Sequence, residues 1–278
     1  MIKTKNKIKL KTNQNHINVD VVIMGGVGFT YFDSEDDFEF IEPTPQPIDT
    51  GFGKVIANIC EIKEKTVAII SRHAGIVKHI PPHKINYLAN MKAAWMLGAN
   101  YVISTNSVGT MKGHKIGSFF IPSDFIDFTK LRISTFYNED AIHVDMTEPY
   151  CNTIRKNMSD TLKSFDIEHS EGIYICTEGP RFETKAEINM MKQFGDVIGM
   201  TGVPEVILAK ELEMCYASIC TVTNDACGLS TGKLTTTEVI DTLKFNNENL
   251  YKVLIDVISK IPDAQECDCV NSIMHAQM

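Results

Sequence analysis

The hydrophobic positions fall into short strand-like runs separated by helix-like stretches. The runs are nearly uninterrupted, which is typical of strands buried on both faces. Several of them stop at small or polar residues. This alternation predicts a single α/β domain with a central mixed, twisted sheet flanked by helices on both faces. The predicted strands include residues 19–24, 66–71, 101–104, 173–177, 197–198 and 216–222.

The helix-like stretches carry start and stop signals. Gly98 ends the helix predicted before it, and Pro204 fits the first turn of another, where its missing N–H is no loss. Thr235 and Glu238 have the spacing of a capping box, which predicts a long helix. Further helices are predicted at residues 150–165 and 184–194.

The stretch over residues 196–228 reads as strand, helix and strand. In an open α/β sheet, ligands bind beyond the carboxyl ends of the strands. Thr201 and Asn224 follow the two strands of this stretch, so we expect both to face one cleft.

Composition and charge narrow the functional classes. The net charge of −8 argues against nucleic acid as a partner, because phosphate contacts need clustered Lys and Arg. No apolar run approaches the roughly 20 residues that cross a bilayer, and no signal peptide is evident, so we expect no membrane association and a cytoplasmic protein. We place the domain at residues 19–262, between a flexible basic tail (1–18) and a loose polar tail (263–278).

The cysteines do not suggest a metal site along the sequence. Most of the eight lie inside apolar strands, where buried reduced thiols are the common case. Cys267 and Cys269 form a C-x-C pair. Zinc sites usually combine two pairs, and no second pair stands out, so no metal is predicted.

Glycines follow the first strand as Gly25-Gly26-Val27-Gly28. Such a turn allows backbone N–H groups to approach a phosphate, but alone it is a weak signal. The dinucleotide pattern fails because Tyr31 stands at its last glycine, and the Walker pattern lacks its Gly-Lys-Ser/Thr end.

The motifs MTGVPEVILAKE…CYASICTVTN and TEGPRFET resemble those of the trimeric nucleoside phosphorylases, most closely the methylthioadenosine phosphorylase branch. The similarity runs in order from about residue 19 to about residue 260. It implies a homotrimer that uses a nucleoside with inorganic phosphate as co-substrate and needs no cofactor. By this resemblance phosphate is held by Val27, Arg72, His73, Asn106, Ser107 and Thr201. In the family the position of Val27 usually carries Thr.

The resemblance also assigns the nucleoside site. Asn224 is the expected catalytic residue at the base, and Thr236 helps to determine specificity at the sugar 5′ group. His143 is expected near that 5′ end, reaching a neighbouring subunit's site. The residues implied to bind the nucleoside are Phe182, Glu183, Met200, Asn224, Ala226 and His143.

Three positions predict a preference for 6-oxopurines. The adenine-specific branch has Asp at the positions of Asn224 and Ala226. An Asn amide can donate to O6 and accept from a protonated N7, and Glu183 can accept from N1–H but would face the lone pair of adenine N1. Mismatched buried groups cost about 1–3 kcal/mol each. We therefore predict phosphorolysis of inosine, guanosine or 5′-methylthioinosine.

Three alternatives stay open. One is an adenine-specific 5′-methylthioadenosine phosphorylase, which the overall resemblance favours. A second is a hydrolytic nucleosidase, against which Arg72 and His73 argue because it needs no phosphate site. The third is a non-catalytic purine-binding protein, which the missing hydroxyl at Val27 supports.

Overall fold

A computed structural model of the 278-residue chain describes residues 18–27, 29, 43–74 and 79–278. The basic segment 1–17, Gly28 and Tyr31 lie outside this range. The strands are β1 Val21–Gly25, β2 Thr44–Asp49, β3 Lys54–Ile62, β4 Lys65–Ser71, β5 Tyr101–Thr110, β6 Phe119–Phe128, β7 His169–Thr177, β8 Val197–Gly199 and β9 Cys215–Asp225. The helices are α1 Tyr87–Met96, α2 Asn152–Ser164, α3 Lys185–Met191, α4 Gly202–Glu211 and α5 Thr236–Ser259. The predicted α/β class is confirmed.

The strands form one mixed sheet that closes partly on itself. Its order is β2-β3-β4-β1-β5-β8-β7-β6-β9, and β9 pairs again with β5. The β1–β4, β1–β5 and β5–β9 pairs are parallel, whereas β5–β8 and β6–β9 are antiparallel. Strands β5, β8, β7, β6 and β9 therefore make a closed ring, which the open sheet expected from the sequence did not include.

Helices cover both faces of the sheet, as expected. Val22 and Met24 of β1 pack in the same apolar layer as α1 and α4. Val21 and Ile23 point the other way, into the layer formed with α2 and α5. This alternation along one strand explains why β1 is apolar throughout. Of the helices described, none combines the length and the apolarity needed to cross a membrane.

Two helix starts follow their sequence signals. Thr235 Oγ1 accepts from Glu238 N at 3.3 Å, and the Glu238 carboxylate accepts from Thr235 N at 3.1 Å, which is the capping box. In α4, Val203 has extended dihedral angles (φ −113°, ψ 132°), so its regular turns begin at Pro204.

Two strands extend further than predicted. We expected strands to end at Ser104 and Val222, because small polar residues follow both. Instead β5 continues to Thr110 and β9 to Asp225, since the two strands pair in parallel along their whole length. Cross-strand pairing overrides the turn-like composition of residues 105–109.

The C-terminal segment is packed rather than loose. Tyr101 Oη donates to the carbonyl of Ala264 at 2.8 Å, and Gln265 Nε2 donates to that of Glu213 at 2.9 Å. Cys269 is buried. The expectation of a loose tail was wrong, because specific hydrogen bonds and the buried Cys269 hold this polar segment against the domain.

Candidate active site

A cavity of about 390 Å³ opens at the carboxyl ends of the parallel strands, where the fold predicts a ligand. Residues that follow β1, β4, β8 and β9 line it. Of the predicted site residues, all but His143 line it. The lining residues are Gly26, Val27, Arg72, His73, His79, Pro82, Asn106, Ser107, Val108, Gly109, Phe182, Glu183, Ile198, Gly199, Met200, Thr201, Thr223, Asn224, Ala226, Cys227, Leu234, Thr236, Val239 and Ile240.

One wall of the cavity is an uncovered stretch of strand edge. One edge of β5 is taken by β9 throughout. The other edge pairs with β1 only at residues 101–104 and with β8 only at residues 109–110. Among the strands described, none covers this edge at residues 105–108. Backbone hydrogen-bonding groups therefore face the cavity there.

Arg72 shows which backbone groups face this gap. Its Nη1 donates to the carbonyl of Thr105 at 3.1 Å, so the peptide groups of Thr105 point away from β9. Alternate residues of a strand direct their backbone groups to the same edge. Ser107 therefore also presents its N–H to the cavity, as expected for a phosphate contact.

The Arg72 guanidinium is held by the protein itself. Nε and Nη2 donate to the two oxygens of Glu205 at 2.5 and 2.9 Å, and Nη2 also donates to Ser104 Oγ at 2.6 Å. Both side chains of the ion pair are fully buried. Burial alone would lower the pKa of Arg72, but the Glu205 carboxylate outweighs this effect and raises the pKa above its ordinary value. Within the described contacts, one Nη1 hydrogen is left for a ligand.

His73 is neutral in this environment. Burial, and next the positive charge of Arg72, lower its pKa to about 4. Its Nδ1 lies 2.8 Å from the carbonyl of Ile80, which can only accept, so Nδ1 carries the proton and Nε2 is an acceptor. The ring stacks on His79, with 4.4 Å between centroids. His73 can therefore accept a hydrogen bond from a protonated phosphate oxygen.

Thr201 and Asn106 are joined inside the cavity wall. Thr201 Oγ1 donates to Asn106 Oδ1 at 2.7 Å, and Asn106 Nδ2 donates to Ser218 Oγ at 2.5 Å. Tyr174 Oη accepts from the backbone N–H of Thr201 at 3.2 Å. The Asn106 side chain thus positions Thr201, and its backbone lies in register with β9 instead of facing the gap.

Gly26 and Val27 lie where β1 ends against β5. Gly26 N donates to Thr105 Oγ1 at 2.9 Å, so this donor is already used. A Cβ on Gly26 would lie 2.4 Å from the carbonyl oxygen of Thr105, which explains the glycine. Val27 places an isopropyl group in the cavity beside these polar residues.

Asn224 and Ala226 line another part of the cavity. Asn224 Oδ1 accepts from Thr223 Oγ1 at 2.8 Å, and its Nδ2 donates to the carbonyl of Asp225 at 2.8 Å. A Cβ on Gly109 would lie 2.9 Å from Asn224 Nδ2, so glycine is needed to seat this amide. Ala226 lies beside it and is buried.

Glu183 and Phe182 also line the cavity. Thr177 Oγ1 donates to Glu183 Oε1 at 2.6 Å, which leaves Oε2 for a ligand. Burial raises the pKa of Glu183, although the Thr177 hydrogen bond opposes it. Phe182 is 36% exposed at the rim, which leaves its ring available for stacking.

A third part of the wall is mostly apolar and comes from the start of α5. Thr236, Val239 and Ile240 line it together with Leu234. His143 lies elsewhere: it is exposed, and its backbone N–H donates to the carbonyl of Ala276 at 2.8 Å. A single chain therefore does not bring His143 into its own cavity.

Comparison with known proteins agrees with this geometry. The family model described as "Phosphorylase superfamily" matches residues 20–259. The chain belongs to this superfamily. The resemblance noted from its motifs is thereby confirmed, and the protein is an enzyme of the nucleoside phosphorylase class, a pentosyltransferase.

Three relatives place this phosphorylase more closely. It is 51% identical to a probable S-methyl-5′-thioinosine phosphorylase of Methanosarcina acetivorans, over 90% of this chain and 93% of that protein. It is 40% identical to the 6-oxopurine nucleoside phosphorylase of Pyrococcus furiosus, over 92% and 98% of the two chains. A crystal structure of a methylthioadenosine phosphorylase from an antarctic soil metagenomic library superposes with a TM-score of 0.85 at 29% identity, covering 94% and 93%.

The sequence did not reveal the buried framework of the phosphorylase site. Glu205, Tyr174 and Ser218 touch the predicted site residues without having been singled out. Glu205 carried a usable signal: it interrupts the apolar run of α4, and a buried carboxylate requires a cationic partner.

Proposed function

We propose that the protein is a purine nucleoside phosphorylase that cleaves the N-glycosidic bond of 6-oxopurine nucleosides with inorganic phosphate as co-substrate. The products are the free base and ribose 1-phosphate or 5-methylthioribose 1-phosphate, and the setting is purine salvage in the cytoplasm. The observation that carries this proposal is that Arg72, His73 and Thr201 line the same cavity as Asn224 and Glu183. We assign the first three residues to an anion-binding end and the other two to a base-binding end.

The anion-binding end supports phosphorolysis over hydrolysis. Ser107 N–H and the remaining Nη1 hydrogen of Arg72 supply donors. Neutral His73 and the Thr201 hydroxyl oxygen, whose own hydrogen goes to Asn106, supply acceptors for a phosphate hydroxyl. Positioned donors of this kind hold the anion against C1′ of the sugar and stabilise charge in the transition state. A hydrolytic nucleosidase would not need them.

The base-binding end supports a 6-oxopurine. When a base binds, the Asn224 amide exchanges its contacts with Thr223 and Asp225 for the purine, donating to O6 and accepting from N7–H. The free oxygen of Glu183 accepts from N1–H. Protonation at N7 removes the negative charge of the leaving base. The names of the two relatives described above agree with this chemistry.

The wall at the start of α5 supports a 5′-methylthio group. Leu234, Val239 and Ile240 offer apolar contact to a thioether methyl, and each buried CH₂ contributes about 0.8 kcal/mol. Among the described residues of this wall, Thr236 is the one polar partner that a 5′-hydroxyl would meet. We therefore place 5′-methylthioinosine first among the substrates.

Base release from five nucleosides, each with and without phosphate, tests the proposal. The substrates are inosine, guanosine, adenosine, methylthioinosine and methylthioadenosine. We expect phosphate-dependent cleavage of the 6-oxopurines, fastest for methylthioinosine. Faster cleavage of methylthioadenosine would overturn the role of Asn224 and Glu183, and phosphate-independent cleavage would identify a hydrolase.

We also propose that the enzyme is a homotrimer in which His143 approaches the site of a neighbouring subunit. The exposed apolar side chains Leu131 (89%) and Ile133 (59%) support a covered surface in the assembly. Light scattering coupled to size exclusion measures the mass. A monomeric, fully active enzyme would contradict this arrangement.

A further inference from the structure

Four cysteine thiols converge at the end of β9 that is remote from the active site. They come from Cys151, Cys215, Cys267 and Cys269, and their sulfur atoms all lie within 4.8 Å of one another. Cys215 begins β9, whereas Asn224 lies near its other end, about 30 Å away at roughly 3.3 Å per residue. The phosphorolysis described above does not use this cluster.

The chain brings the four thiols together from three separate places. Cys151 immediately precedes the first residue of α2, and Cys215 opens the central strand β9. Cys267 and Cys269 belong to the C-terminal segment. The fold therefore brings Cys151 and Cys215 together as a second pair beside Cys267 and Cys269. The sequence analysis excluded a metal because it found no second pair, and that premise was wrong.

The distances fit four ligands around one ion. A tetrahedral zinc ion with Zn–S bonds of about 2.3 Å separates its sulfur ligands by about 3.8 Å. Cys151 and Cys267 are 3.7 Å apart, and Cys215 and Cys267 are 3.2 Å apart. A disulfide needs about 2.0 Å, and it would use the sulfurs two at a time without requiring all four to be mutual neighbours.

We propose that these four cysteines bind one tetrahedral, thiophilic divalent metal ion of the zinc type as a closed structural site. All four positions around the ion are protein thiolates, so it has no open coordination position for catalysis. The ion joins the C-terminal segment to α2 and β9.

The surroundings suit thiolates. Gln265 Nε2 donates to Cys215 Sγ at 3.4 Å, an outer contact of the kind that orients a metal ligand. Cys151 lies at the N-terminus of α2, where the helix dipole favours negative charge. Three of the four thiols are buried and Cys267 is partly exposed, which leaves a route for the ion to enter.

Metal analysis of the full-length enzyme tests this inference. The protein is purified under reducing conditions and passed over a chelating resin, and bound metals are measured by mass spectrometry. We expect one zinc ion per chain. Replacement by Co²⁺ should give the intense thiolate-to-cobalt charge-transfer band and the visible bands of a tetrahedral site.

Variants separate this cluster from the other thiols. The double variant Cys267→Ser/Cys269→Ser should lose the metal and melt at lower temperature. Cys60→Ala, which removes a buried thiol outside the cluster, should keep one ion per chain. If the double variant fails to fold, the cobalt spectrum of the wild-type protein still shows whether the four cysteines bind a metal ion.

Two outcomes would overturn the site. One is a metal-free native protein whose four thiols are all alkylated without denaturation and which shows no cobalt spectrum. The other is an intact mass lower by the hydrogens lost in disulfide formation, with no metal taken up after reduction. Phosphorolysis is assayed in parallel, so a failed metal site and a failed function are told apart.

Discussion

Val27 follows Gly26 in the turn after β1, at a position where the family that the motifs resemble usually carries Thr. It lines the same cavity as Gly26 and Arg72. A hydroxyl there would give phosphate a further donor. We expect Val27→Thr to lower the phosphate KM by about tenfold, because a hydrogen bond to a charged group contributes about 1.5–3 kcal/mol.

Val27→Ala is the matched control for that change. It removes both γ-methyl groups, one of which Val27→Thr replaces by a hydroxyl, and it adds no donor, so its phosphate KM should not fall. Equal values of KM for the Thr variant and the wild type would show that backbone donors already satisfy the phosphate.

Asn224 and Ala226 decide the base preference in our proposal. The double variant Asn224→Asp/Ala226→Asp should raise the ratio of kcat/KM for methylthioadenosine over methylthioinosine about a hundredfold. That factor corresponds to about 3 kcal/mol, or two mismatched groups reversed. Steady-state kinetics with both substrates gives the ratio. An equal loss of kcat/KM for both substrates would mean that these two positions contribute to folding but not to base preference.

His73 links the site to acid stability. Its pKa is about 4 in the folded protein and near 6.5 when unfolded, so the unfolded chain binds the proton more tightly. The His73 contribution is therefore complete above pH 6.5 and is lost as the pH falls toward 4. It amounts to about 3 kcal/mol across this window.

Urea unfolding at several pH values measures that contribution. His73→Gln should flatten the fall in unfolding free energy between pH 6.5 and 4. The exposed His143→Gln serves as the control and should follow the wild-type curve. A His73→Gln curve parallel to wild type would contradict the buried neutral imidazole.

At the scale of elements, Glu205 fastens α4 to the sheet. Its carboxylate binds Arg72 after β4, accepts from Ser104 of β5 at 3.2 Å, and accepts from Tyr216 of β9 at 2.9 Å. Glu205→Gln leaves the Arg72 charge buried without its counter-ion. We expect a loss of about 3 kcal/mol in unfolding free energy, together with weaker phosphate binding.

Asp160→Asn is the control for this pair, because it removes an ion pair with Lys156 at the surface. Its melting temperature should stay close to that of the wild type. If Glu205→Gln also melts like the wild type, the buried pair does not hold α4 to the sheet.

The elements were predictable where the signal is local, and not where it is distant. The capping box at Thr235 and the buried run of β1 are read from neighbouring residues. The extension of β5 through Asn106 and Gly109 depends on β9, more than a hundred residues away. The Arg72–Glu205 pair is also distant in sequence, so the sequence analysis identified Arg72 but not Glu205 as its partner.

At the scale of the whole molecule, the cleft was predictable and its closure was not. Strand ends at Thr201 and Asn224 predicted a common rim, and both line the cavity. The pairing of β9 with both β5 and β6 closes a ring that no local pattern encodes. The four cysteines meet for the same reason, since only the folded chain brings Cys151 and Cys215 beside the C-terminal segment.

We expect the uncovered edge of β5 to make stability depend on the co-substrate. In our proposal, phosphate accepts from Ser107 N–H and so takes the place of a neighbouring strand along that edge. We expect phosphate at a hundred times its Kd to raise the unfolding free energy by about 2.7 kcal/mol.

Calorimetry in phosphate, against sodium chloride of equal ionic strength, measures this linkage. The unfolding free energy should rise with phosphate concentration along a binding curve, and it should not rise in sodium chloride. An equal rise in unfolding free energy in both salts would contradict phosphate binding at the edge of β5. In the expected case, the amide of Ser107 exchanges its hydrogen slowly only while phosphate is bound, and the inorganic co-substrate acts as a structural member of the enzyme that consumes it.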